Sequence, residues 1–407
     1  MNLYLFPGFL QNPMVEGLLQ FQSETVGAAL DGYYQASREL LRHCGSFFTR
    51  HSVKEYCIRL LLDDACAAGL LASGAKADDY LLADLEQLAG LIAYDWDGLC
   101  EKYSVLPFPV GAGAASENDY SVRIQKMVDA SSPHDLAQRI AAFFTCYGDS
   151  QEAKYAAFRW KGWNMEGIHS PDRITFEQLG GLEFQKKTLM DNTRSFLNGA
   201  PANDILLVGG SGTGKSSCVK ATLSHFAKEG LKLVEVPKEE VGGLPKLMEV
   251  LAKKKRKYIV FIDDLSFENP DVSYMALKVA LDGQIQQRPA HMLIYATSNR
   301  RHLIRETWSD RDSEQDIHEN DTLHEKMSLS ERFGIHLYFS ILSQKEYFDI
   351  IALLLAQHNV PFTDEVGRLA AAWAITYNGR SGRTAKQFVV GYLARRNSRG
   401  VRQAEDI

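Results

Sequence analysis

The sequence has little that would mark it for export, for a membrane or for a nucleic-acid surface. Its 6 cysteines, at positions 44, 57, 66, 100, 146 and 218 of 407 residues, follow no disulfide or zinc spacing. They read as small buried hydrophobes in a reducing compartment. No stretch approaches the ~18 consecutive apolar residues of a membrane span. The opening decapeptide, Met1 to Leu10, is apolar but lacks a positive n-region and is cut by Pro7 and Gly8. It does not read as a signal peptide, so the expected location is cytoplasmic. Excess positive charge is missing too: 45 Lys and Arg stand against 51 Asp and Glu, a formal net charge of −6. That removes the global basic bias of a nucleic-acid binder. There is no internal repeat and no low-complexity tract.

What is present is the composition of a soluble globular protein, 45% apolar and 24% charged, with length for two or three domains. A break falls near residue 168. Before it, residues 59–71 and 80–92 have helical periodicity. Residues 106–114 form a turn-rich linker. A further helix starts after Ser132, its expected cap, and runs to about Tyr147. Residues 148–168 read as a connector that packs down, with Phe158, Trp160 and Trp163 expected in a core. From 174 onward strand and helix patterns alternate, as an α/β sheet requires. The expected division is a helical N-terminal region at 1–168, an α/β domain at 169–342 and a helical lid at 343–407.

The most specific signal is the octet Gly209-Gly210-Ser211-Gly212-Thr213-Gly214-Lys215-Ser216. It fits G-x-x-x-x-G-K-[ST], the P-loop. An apolar run, Asp204 to Val208, precedes it and a helical run from Ser217 to Phe226 follows. Strand, glycine turn and helix N-terminus are the context that the motif needs. Glycines let successive N–H groups converge on phosphate oxygens, and the helix dipole adds to the attraction. Lys215 would supply charge to the terminal phosphates and Ser216 a hydroxyl to Mg²⁺, with Ser217 beside them. A second motif is Tyr258-Ile-Val-Phe-Ile-Asp-Asp-Leu265, a doubly buried strand ending in acids, a Walker B element. Asp263 is the metal-linked residue. Asp264 and Glu268 are alternative bases for polarising water. A third strand, Met292 to Asn299, ends in polar residues that can reach a γ-phosphate.

These motifs, with Ser328-Leu-Ser-Glu-Arg-Phe-Gly334 and Asn378-Gly-Arg-Ser-Gly-Arg-Thr384, follow one another as in the AAA+ ATPases. The chain resembles that superfamily over roughly 170–395. Within it, Pro201 to Leu207, Asp263 to Glu268, Ala296 to Leu303 and Leu329 to Gly334 look like a bacterial AAA+ family known as a domain of unknown function. The resemblance implies an ATP-binding P-loop sheet flanked by helices, a C-terminal helical lid and Mg²⁺ at the site. It implies sensor 1 at Asn299, an arginine finger at Arg332 and sensor 2 at Arg383, with Arg380 the alternative. Phe176 to Leu182 would flank the adenine. Walker B ends Asp-Asp rather than Asp-Glu, which points to slow turnover. Lys238 to Leu244 lacks the aromatic residue of threading unfoldases.

Bland readings stand beside these. The run Lys253-Lys-Lys-Arg-Lys257 reads as a solvated helix end rather than a nucleic-acid patch. The acidic, histidine-bearing stretch 306–325 reads as a solvated insertion, since it matches no ligand spacing. Three functions compete: an oligomeric ATPase that remodels a macromolecular partner held by the N-terminal region, a nucleotide-gated scaffold, and a small-molecule kinase.

Overall fold

The computed structural model describes residues 3–64, 67, 71, 78–111, 119–266, 272–282, 288–299, 329–377 and 379–405. The chain divides into two compact units, Met1–Lys154 and Tyr155–Ile407.

Among the described residues the first unit is built of helices alone: α1 (Pro13–Phe21), α2 (Val26–His43), α3 (Ser52–Leu62), α4 (Asp78–Ile92), α5 (Trp96–Lys102), α6 (Asp119–Val128), α7 (Pro133–Tyr147) and α8 (Ser150–Lys154). Local chemistry sets the ends. Ser132 Oγ accepts from Asp135 N at 3.1 Å, capping α7 where Pro133 opens it. The apolar faces meet in one core that includes Phe6, Phe21, Leu40, Ile58, Leu88 and Phe143, all fully buried or nearly so. A carboxylate inside this core, that of Asp84, is satisfied by Tyr4 N and Leu5 N at 2.8 and 2.7 Å. Cys57 lies in the same core, and burial pushes its thiol up to about 12.

The second unit is a sheet with strands β1 (Ala157–Lys161), β2 (Asn164–Gly167), β3 (Ile205–Gly209), β4 (Leu231–Val236), β5 (Lys257–Ile262), β6 (Met292–Ser298) and β7 (Ile335–Phe339). Their order is β2-β1-β4-β5-β6-β3-β7. All neighbours are parallel except β2 on β1. Side chains alternate between two cores. Tyr258, Val260 and Ile262 enter one, with α11 (Leu244–Ala252) and α12 (Val272–Asp282). Ile259 and Phe261 enter the other, with α9 (Glu183–Leu197) and α10 (Lys215–Phe226). Burial on both faces explains the uninterrupted apolar runs of β5 and β6. The unit ends in α13 (Gln344–Ala356), α14 (Asp364–Thr376) and α15 (Gly382–Glu405), which share a third core around Tyr347, Ile351 and Phe388. This is the expected architecture: a P-loop sheet flanked by helices, a C-terminal helical lid and a helical N-terminal region.

Two expectations about residues 148–168 change. The connector is a hairpin of the sheet, because β1 adds to β4 in the register Phe158 with Val234. The division therefore falls at 154 rather than at 168. Phe158 and Trp160 are fully buried, as expected, whereas Trp163 is 64% exposed at the hairpin tip. The basic run at 253–257 follows the C-terminal end of α11 and enters β5, where positive charge offsets the helix dipole. The acidic stretch 306–325 lies outside the described residues.

The hairpin carries a consequence for truncation. A fragment starting at Tyr155 is expected to fold, whereas one starting at His169 loses Phe158 and Trp160 from the core and leaves β4 as a bare edge. Deleting one buried Phe or Trp side chain costs roughly 3–5 kcal/mol, so the shorter fragment should melt at least ~10 °C lower or aggregate. Equal melting temperatures would refute the hairpin's role.

Candidate functional site

The carboxyl ends of β3, β5 and β6 meet at one place, and the polar residues of the sequence motifs are carried there. β3 ends at Gly209 and α10 begins at Lys215, so the glycine octet spans the gap. Gly212 has φ +78°, and a Cβ on it would lie 2.9 Å from Ser381 Oγ. Only glycine fits that position. The lid backbone touches the loop directly, for Gly382 N donates to Gly212 O at 3.0 Å.

Lys215 is only 6% exposed. Its Nζ donates to Gly209 O at 2.7 Å, to Gly210 O at 2.8 Å and to Asn299 Oδ1 at 2.8 Å. Burial pulls the ammonium below the usual lysine range, and the charges of Asp263 and Asp264 oppose that shift. Asn299 passes the connection on, its Nδ2 donating to Asp264 Oδ1 at 2.6 Å. Asp264 is held at φ +52°, in the left-handed region, with its N–H donating to Thr297 Oγ1 at 2.9 Å. Asp263 Oδ1 accepts from Ser216 Oγ and from Thr297 Oγ1, both at 2.6 Å.

Thr297 thus links both acids. It was not among the expected site residues, although a signal existed: on a strand, Thr297 and Asn299 share a face two residues apart. Of the expected residues, Lys215, Ser216, Asp263, Asp264 and Asn299 come together. Glu268 lies outside the described residues.

Beside this cluster is a cleft of about 640 Å³. Its walls combine polar residues, Thr213, Ser216, Ser217, Asp263 and Arg383 among them, with the apolar Ile174, Leu179, Leu182, Ile350 and Leu354. The segment 176–182 therefore contributes wall residues, as does the lid helix α13. Arg383 faces this cleft. Arg380 lines a separate lid pocket with Tyr347 and Ile375.

Arg332 is elsewhere. β7 runs from Ile335, opposite Ile205, to Phe339, opposite Gly209. Arg332 precedes that strand, so the length of β3 separates it from its own P-loop. The segment Lys238–Gly243 is a 3-10 turn after β4, with Val241 buried.

Ser216 and Asp263 bring a hydroxyl and a carboxylate together at the loop, the hard oxygen donors that Mg²⁺ takes. The cleft brings apolar side chains together with the glycine loop at a helix N-terminus, which suits a flat base attached to phosphates. Among the described residues no helix is long and apolar enough to cross a membrane.

None of the curated proteins matches the chain. Among solved structures, the RuvB Holliday junction branch migration motor of Thermotoga maritima is 19% identical over 52% of this chain and 61% of that one, with a TM-score of 0.38. This chain thus spans about three fifths of the length of that motor. The FIGL-1 AAA domain in complex with ADP is 19% identical over 54% of this chain and 73% of that one, also with a TM-score of 0.38. A family model described as "Protein of unknown function (DUF815)" matches residues 153–396, which is the second compact unit almost from end to end, and the chain belongs to that family.

Proposed function

We propose that this protein is a Mg²⁺-dependent, oligomeric ATPase of the AAA+ type that uses hydrolysis to remodel or load a macromolecular partner. The observation that carries this reading is the bonded series Lys215–Asn299–Asp264, with Ser216–Asp263, beside a cleft that has apolar as well as polar wall residues. The apolar wall residues receive the base. The loop N–H groups and Lys215 receive the phosphates, once Lys215 exchanges its loop carbonyls for phosphate oxygens. Ser216 and Asp263 would hold Mg²⁺, which neutralises phosphate charge. Asn299 orients Asp264, which takes the proton of the attacking water. Arg383 reaches the phosphates from the lid. Arg332, which precedes β7 and is separated from its own P-loop by the length of β3, serves a neighbouring subunit. The N-terminal unit, which carries none of these motifs, holds the partner.

A slow, nucleotide-gated scaffold is the second reading. The short Asp264 side chain, already bonded to Asn299 at 2.6 Å, favours it. Turnover number separates the two.

Lys215→Ala should weaken ATP·Mg²⁺ binding roughly 10- to 100-fold, the scale of losing a charge-assisted contact. An ATP Kd within threefold of the parent would sink the assignment. Asp264→Asn should leave ATP affinity intact and slow hydrolysis about 10²-fold, the usual scale for a positioned base. If Glu268→Gln shows that loss instead, the base is Glu268.

Activity per subunit should climb with protein concentration, since a trans arginine is worth on the order of 10³-fold in turnover. Mixed Arg332→Ala and Lys215→Ala proteins should regain activity that neither has alone. Concentration-independent turnover, or no rescue despite co-assembly, would remove the finger and favour the scaffold.

A further inference from the structure

The hairpin that extends the sheet ends in a residue that its own geometry does not favour. Lys161 pairs with Asn164, so the connection is the two-residue loop Gly162–Trp163. Both have positive φ, +54° and +66°. This is the primed turn that right-twisted strands select, and it asks for Gly, Asn or Asp at each central position. Gly162 meets that demand. A tryptophan in the left-handed region is a strained outlier. No packing explains it, for the ring is 64% exposed while Phe158 and Trp160 on the same hairpin are fully buried.

Three carboxylates stand on the hairpin and on the turn bonded to it, those of Glu166, Glu239 and Glu240. Gly162 N donates to Glu240 Oε1 at 3.3 Å, which holds the Lys238–Gly243 turn against the hairpin, and Glu239 is the preceding residue of that turn. Glu239 is exposed, as is Glu166 on β2. Of the nearby cations, Arg159 is offset by Glu235 at 2.8 Å, and Lys238 keeps its charge while its Nζ donates to Ser266 Oγ at 3.0 Å. Lys161 is the remaining cation on the hairpin, and it is exposed. Carboxylates around an open indole repel phosphates and attract ammonium and guanidinium groups. The indole face is the strongest side-chain acceptor for such a cation. Among the described residues β2 pairs only with β1, so its outer edge offers main-chain groups to an extended segment.

We propose that Trp163, with Glu239 and Glu240, forms a contact surface for an extended polypeptide partner carrying Lys or Arg, the cation seated on the indole. The surface uses no residue of the nucleotide cleft, so it stands or falls apart from the ATPase reading, and ATP affinity serves as the control.

The test titrates the full-length protein into labelled peptides by fluorescence anisotropy. The probes are alternating Lys/Leu, the same peptide with Glu for Lys, and oligothymidine. The Lys/Leu peptide should bind, and the other two should bind at least tenfold more weakly. Trp163→Asn should weaken the Lys/Leu peptide about tenfold, the scale of losing a desolvated cation–π contact. It should keep the parental ATP Kd and melt at the same or a higher temperature, because Asn suits the turn. Trp163→Phe should retain part of the affinity, and Glu239→Gln with Glu240→Gln should reduce it. The proposal is overturned if the Lys/Leu peptide does not bind, if Trp163→Asn binds it like the parent, or if oligothymidine binds as tightly. A lower melting temperature in Trp163→Asn would also overturn it, by making the indole structural.

Discussion

A lysine ammonium nearly removed from water has to be satisfied by the protein around it, and the centre of the second unit is organised by that demand. Lys215 is placed by the first turn of α10, where the chain leaves the glycine loop. Three oxygens take its three protons: two from the loop and one from the end of β6. Two carboxylates at the end of β5 offset the cost of burying its charge. Three separate strands must therefore end at the same height. The parallel register of β3, β5 and β6 secures this, since it sets Val208 beside Ser298 and Ile262 beside Ala296 at the same end of the sheet. Phosphate oxygens arriving here would replace acceptors that already exist.

Much of this was legible in the sequence, because the chemistry is written in contiguous runs. The octet at 209–216 fixes its own backbone, and five apolar residues ahead of two acids place those acids at a strand end. The lid helices were visible for the same reason. Ser343 and Glu346 make a reciprocal cap at the start of α13, and Thr363 caps α14.

What was not legible depends on pairing between distant segments. β1 and β2 are short, and their aromatic residues suit a connector as well as a strand until the partner β4 is known. Trp163 violated the rule for its turn position, so reading it as core was natural and wrong. Thr297 went unnoticed because its two acids come from another strand. The choice between Arg380 and Arg383 turned on where α15 begins: Arg380 precedes its first residue, Gly382, and Arg383 follows it, and the two line different pockets.

The single hydrogen bond from Gly382 to Gly212 has a thermodynamic corollary. The loop that would surround phosphates and the first turn of α15 are joined backbone to backbone, with no side chain between them to absorb a displacement. A change in loop conformation is therefore transmitted to α15, Gly382–Glu405, the longest helix among the described residues. Coupling of this kind is reciprocal: whatever factor phosphate imposes on the lid's preferred position, a load applied to the lid returns to phosphate affinity. The lid is thus as much an input as an output, and a molecule that grips it would regulate the cleft without entering it.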